Sequence, residues 1–162
     1  MTVLITAEDP RRPDIVALLE THLAFAREVT PEGHVHALDV EALATPDITF
    51  CTARDAADGG GLSLLGVGAL RAFGDGRGEI KSMHTAAAAR GRGVGRAMVE
   101  HLLAVAGELD LTWVGLETGT YPAFAAARTL YASMGFSECP PFADYTDNPY
   151  SVCMELALEG GA

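Results

Sequence analysis

Apolar positions along this chain repeat with two periods. Between residues 14 and 29, Ile15, Leu18, Leu19, His22, Leu23 and Ala26 recur at helical spacing and predict an amphipathic helix with one buried face. A second helix is predicted over 94–109, with Val94, Met98, Leu102, Val105 and Leu109 as its core stripe. A third, over 123–134, carries Phe124, Ala127, Leu130, Tyr131 and Met134, and Gly135 ends it. Asp39 is placed to cap a short helix running through Ala44, which brings the expected number of helices to about four.

The remaining apolar runs are short and rich in β-formers: 2–7, 47–53, 62–73, 78–85, 111–117, 136–139 and 151–158. The glycine-rich connection ARDAADGGG and the turn at Asp75-Gly76 make the second, third and fourth strands consecutive antiparallel neighbours. The strand at 111–117 follows a helix, so it reads as a parallel neighbour of the strand at 78–85. This order describes a mixed α/β (α+β) sheet of six to seven strands in one domain over 1–162.

Composition narrows the picture. A chain of 162 residues can bury roughly 70% of its extended surface around one core. With 49% hydrophobic and 20% charged residues, and no apolar run near the ~20 residues of a membrane span, a soluble protein without membrane partners is expected. No basic flank precedes an apolar segment at MTVLITAEDPRRPD, so the expected location is the cytoplasm. Cys51, Cys139 and Cys153 lack metal-ligand spacing, so reduced thiols and no metal are expected. A net charge of −11 argues against nucleic-acid binding and favours cationic substrates. Positive charge is nevertheless local: Arg77, Lys81, Arg90, Arg92 and Arg96 are five of the 11 basic residues.

That basic stretch surrounds Arg90-Gly91-Arg92-Gly93-Val94-Gly95, immediately before a predicted helix. Glycines let backbone approach a ligand closely, and a helix start presents unpaired N–H groups together with the positive end of its dipole. The arrangement suits a phosphate or pyrophosphate, with forked guanidinium donors at hand. Arg96 stands where a dinucleotide G-x-G-x-x-G would need its last glycine, and no G-x-x-x-x-G-K-[ST] occurs.

What the segment does fit is [RQ]-x-x-G-x-[GA], the acetyl-coenzyme A signature of the GCN5-related N-acetyltransferase (GNAT) superfamily, which the chain resembles. Leu130-Tyr131-Ala132-Ser133-Met134-Gly135-Phe136 is similar to the superfamily's L-Y-x-x-x-G-F segment, and the element order matches over nearly the whole chain. Glu79 to Met83 and Leu116 to Gly119 resemble the E-[IL]-K-x-M and L-E-T-G stretches of small bacterial members. The resemblance implies a GNAT sheet splayed between its fourth and fifth strands, with acetyl-CoA as co-substrate. It places the diphosphate on the amides around Arg90, Gly91, Arg92, Gly93, Val94, Gly95 and Arg96. The pantetheine arm would meet main-chain groups of Met83, His84 and Thr85, and lie beside Phe124 and Ala127. Phe124 occupies the place of an asparagine common in the superfamily, which removes one expected hydrogen bond to that arm. The proline usual after the fourth strand is likewise missing from residues 86–89.

The implied reaction is direct attack of a small-molecule or peptide amine on the thioester. Tyr131 would protonate the departing thiolate, because a phenol near sulfur can act as acid without carrying charge. Glu117 and Glu79 are the candidate bases, Glu117 nearer the reacting end and Glu79 acting through water. Each has a structural alternative: Glu79 could pair with Lys81 two residues along the same strand face, and Glu117 could cap residues 118–120. His34, His36, Asp144 and Tyr145 are acceptor-side candidates, the last two on the long loop PPFADYTDNPY. A non-catalytic coenzyme A-binding sensor or interaction module is the alternative function, and a homodimer is left open.

Overall fold

The computed structural model describes residues 1–29, 40–57 and 62–159. Seven strands form one sheet in the order β1-β2-β3-β4-β5-β7-β6. They are β1 (Val3–Ala7), β2 (Ile48–Asp55), β3 (Ser63–Ala72), β4 (Arg77–Thr85), β5 (Trp113–Gly119), β6 (Ser137–Cys139) and β7 (Ser151–Ala157). The helices are α1 (Pro13–Val29), α2 (Val94–Glu108) and α3 (Ala125–Ser133). β1 to β4 pair antiparallel in sequence order, β4 and β5 pair parallel, and β7 returns antiparallel between β5 and β6. The predicted mixed sheet and its parallel step are therefore present.

Strand alternation gives the sheet two buried faces. On one, Ile80, Val114, Leu116 and Met154 join Met98, Val99 and Leu102 of α2 and Tyr131 of α3 in the larger core. On the other, Val67, Ala69 and Phe50 pack with Ile15 and Leu19 of α1. Leu43 completes this smaller cluster.

Three expectations need correction. Among the described residues there are three α-helices, not four: the stretch before β2 makes only a 3-10 turn at Ala42–Ala44, and Asp39 lies outside the described residues. The last predicted helix starts later, because Pro122–Phe124 forms a 3-10 turn ahead of α3. Leu109, expected in the α2 stripe, is 49% exposed. The helix stops at Glu108, and the buried face runs instead through Val94, Met98, Val99, Leu102 and Ala106.

Candidate active site

The site begins with an irregularity in β4. Val67 pairs with His84 but Ala69 pairs with Lys81, so β4 carries one extra residue opposite β3. Ser82 sits in the bulge with φ 56°, a left-handed conformation that a side chain adopts at a cost. The ladder between β4 and β5 ends at Ile80 and Leu116, while β4 runs on to Thr85 beside β3 and β5 runs on to Gly119 beside β7. The two strands part, leaving a cleft through the sheet whose facing edges have no ladder partner. Met83, His84 and Thr85 lie on the parted half of β4.

On the α2 side of the cleft lies the glycine loop. Gly91 (φ 75°) and Gly93 (φ 84°) take left-handed backbone, and a Cβ at either would point into open space. Gly93 is the N-cap of α2 with no side-chain cap, and the first intrahelical bond is donated by Ala97 N–H to the Gly93 carbonyl at 3.0 Å. The amides of residues 91–96 therefore have no acceptor among the described residues. Arg90, Arg92 and Arg96 are exposed, and none pairs with a carboxylate there. Arg96 Nη2 donates to Ser133 Oγ at 2.7 Å and so ties the loop to α3. Free donors, uncompensated positive charge and an uncapped helix start fit a diphosphate.

Tyr131 belongs to the same face. It is buried in the core with Leu116 and stacks edge-on against Phe136 at 5.9 Å. Its hydroxyl has no hydrogen-bond partner among the described residues, and burial pushes its pKa up to about 12. A phenol so placed stays protonated at neutral pH and is a neutral hydrogen-bond and proton donor to an anion that forms beside it.

The α1 side of the cleft is acidic and aromatic. Glu79, 1% exposed, accepts from Lys81 Nζ at 3.1 Å and from the Tyr145 hydroxyl, and Lys81 Nζ also lies 3.1 Å from that hydroxyl. The expected pairing of Glu79 with Lys81 is thus present, and both Glu79 oxygens are engaged. Glu117 stands on the neighbouring strand, same face, half-buried and without a hydrogen bond. It does not cap residues 118–120. Burial, reinforced by repulsion from Glu79 and offset in part by Lys81, raises its pKa from 4.5 to about 7. Phe142 packs against Trp113 and Tyr145 at the outer edge.

Toward the open end of the cleft, His84 is buried under α1, with its Nδ1 3.2 Å from His22 Nδ1 and its Nε2 buried without a partner. Desolvation, with help from His22 and Arg90, lowers its pKa to about 4. Phe25 of α1 meets the ring of Phe124 at 5.5 Å, and that ring lies directly over Gly119, where any Cβ would collide with it. Phe124 thus fills the open end of β5 with an aromatic face. Ala127 is half-buried on the inner side of α3.

Of the acceptor-side candidates, Tyr145 reaches the site, whereas Asp144 is exposed and makes no contact of note among the described residues. His34 and His36 fall outside the described residues. Lys81, His22 and Phe25, which line the cleft, were not among the expected site residues. Lys81 was legible through its two-residue spacing from Glu79, but the others arrive by contacts distant in sequence.

The comparisons with known proteins agree with this geometry. The acetyltransferase (GNAT) domain family matches residues 46–138. The chain is 38% identical to YedL of Escherichia coli K12, described as an uncharacterized N-acetyltransferase, over 95% of this chain and 94% of that one. It is 34% identical to an IAA acetyltransferase of Azospirillum brasilense, over 96% and 98%. Among solved structures, an acyl-CoA N-acyltransferase homologue from Klebsiella pneumoniae superposes with TM-score 0.78 at 26% identity, covering 97% and 98%. A Bacillus subtilis acetyltransferase solved with CoA shares the fold at TM-score 0.65 and 17% identity, covering 98% and 100%.

The chain belongs to the GNAT family. It is an acetyl-CoA-dependent N-acetyltransferase.

Proposed function

We propose that this enzyme acetylates a primary amine of a small molecule or peptide by direct attack in a ternary complex, with Glu117 as base and Tyr131 as acid. The observation that carries the reading is the cleft between β4 and β5. It joins the α2 face, which offers diphosphate donors and Tyr131, to the α1 face, which offers Glu117. A cofactor lying on one face and an acceptor on the other meet at the gap without a covalent enzyme intermediate.

Each residue has a defined task. The amides of 91–96 and the three guanidiniums bind the diphosphate, and the parted edge of β4 at Met83 to Thr85 aligns the arm. Glu117, with a pKa near neutrality and no internal partner, takes a proton from the incoming ammonium. Tyr131 gives its proton to the leaving sulfur. Acetyl-CoA supplies the activated acyl group. Glu79 is held by Lys81 and Tyr145, which suits it to fixing the site rather than moving protons.

Thiol release from acetyl-CoA, measured against a panel of amines and peptides, tests this reading. Glu117→Gln should lower kcat/KM by about 10²–10⁴-fold and abolish the acid limb of its pH profile. Tyr131→Phe should lower kcat with little change in KM for acetyl-CoA. A Glu117→Gln enzyme that keeps both its rate and its acid limb would refute the base assignment.

A further inference from the structure

Lys81 touches neither substrate in the reaction just described, yet it sits at the centre of the acidic face. Its ammonium lies 3.1 Å from Glu79 Oε1 and 3.1 Å from the Tyr145 hydroxyl, which itself donates to the other Glu79 oxygen. It also lies 5.5 Å from the centre of the Tyr145 ring. The three side chains close a ring in which each holds the other two. Its side chain is only 10% exposed and that of Glu79 2%, so water screens these charges weakly.

Glu117 faces this ring. The groups that act on it are Glu79 and Lys81 from β4, its β7 neighbour Cys153, and Tyr145 from the segment between β6 and β7. Arg77, on the same β4 face, stacks on the Trp113 ring at 4.6 Å instead. Lys81 thus pairs with Glu79 and, without contacting Glu117, attracts it as well. If Glu79 were uncompensated, its charge would hold the proton on Glu117.

Resting on Glu117 as the base, we propose that Lys81 is a positioning residue for the transfer: by neutralising Glu79, attracting Glu117 and clamping Tyr145, it keeps Glu117 in the ionised form that can take a proton from the amine. Lysine suits the task because its compact ammonium serves both oxygen partners from one point. The same contact fastens the segment between β6 and β7 to the strand that carries the bulge.

The test reads Glu117 directly, through the carboxyl carbon shift of 13C-labelled glutamate, with Glu117→Gln to identify its signal. Lys81→Met should raise the Glu117 midpoint by about one pH unit or more, and Lys81→Arg should bring it back towards the wild-type value. The acid limb of kcat/KM should move by the same amount, about a tenfold loss of rate per unit at pH below the midpoint. Tyr145→Phe, which keeps the charge, should leave the midpoint below that of Lys81→Met. Since Lys81→Met strands a buried Glu79 charge and could unfold the protein, the comparison is repeated without that charge. The Glu79→Gln, Lys81→Met double variant should titrate at least half a unit above Glu79→Gln alone. A Glu117 midpoint indifferent to Lys81 in both backgrounds would overturn the proposal. Because the carbon signal reports protonation and not turnover, this result stands apart from the fate of the base assignment.

Discussion

At the scale of single residues, burial acts in opposite directions on the ionisable groups along the cleft. Glu117 binds its proton more tightly folded (about 7) than unfolded (4.5), so it contributes stability at acid pH that is lost as pH rises from 4.5 to 7. His84 binds its proton less tightly folded (about 4) than unfolded (6.5), so its contribution is lost as pH falls from 6.5 to 4. The two trends oppose each other between pH 4.5 and 6.5. Urea unfolding of Glu117→Gln should therefore show stability falling steadily with acid across that interval, where the wild type is flatter. The variant should also be the more stable protein at pH 8, since it no longer desolvates a charge. This is the stability cost that an unpartnered acid–base group carries.

The decisive element is the junction of loop and helix at residues 90–96. Its conformation is local: two left-handed glycines and an uncapped helix start leave donors aimed outward whatever the rest of the chain does. Gly93→Ala has room for its methyl group but must hold φ 84°, which costs about 1 kcal/mol. Its expected signature is a raised KM for acetyl-CoA, with a smaller effect on kcat once the enzyme is saturated. Binding should also weaken as salt rises, since three exposed guanidiniums contribute. This element was legible in the sequence because glycine spacing and adjacent arginines encode it directly. The α2 stripe was less so: periodicity extends to Leu109, but nothing in it says that the helix stops one residue earlier.

For the whole molecule, the placement of α1 decides how this face of the cleft is walled. Arg54 of β2 is 8% exposed and binds Glu8 through Nε at 2.7 Å and Asp14, in the first turn of α1, through Nη1 at 2.7 Å. Glu8 also accepts from Thr52. This network pins the start of α1 to the sheet, and α1 carries His22 and Phe25 to the cleft. Arg54→Ala removes the partner shared by Glu8, which keeps Arg12 and Thr52, and by the half-exposed Asp14, and should destabilise the protein by about 2 kcal/mol, measured by urea unfolding. No helix among the described residues is long and apolar enough to cross a membrane.

The chain's turn residues and glycine loop determined the consecutive pairing of β2, β3 and β4 and the backbone of residues 90–96, because these rest on short connections or local conformation. Element order anticipated the parallel step of β4 and β5, but not the insertion of β7 between β5 and β6. Two-residue spacing brought Glu79 and Lys81 to one face. Only the folded structure decided which carboxylate is tied up and which is free. That outcome turns on Tyr145 reaching Glu79 across 66 positions of chain, just as the surroundings of His84 depend on His22, 62 positions away. Proton affinities are set by such distant neighbours and by exclusion of water, and neither is written in local sequence.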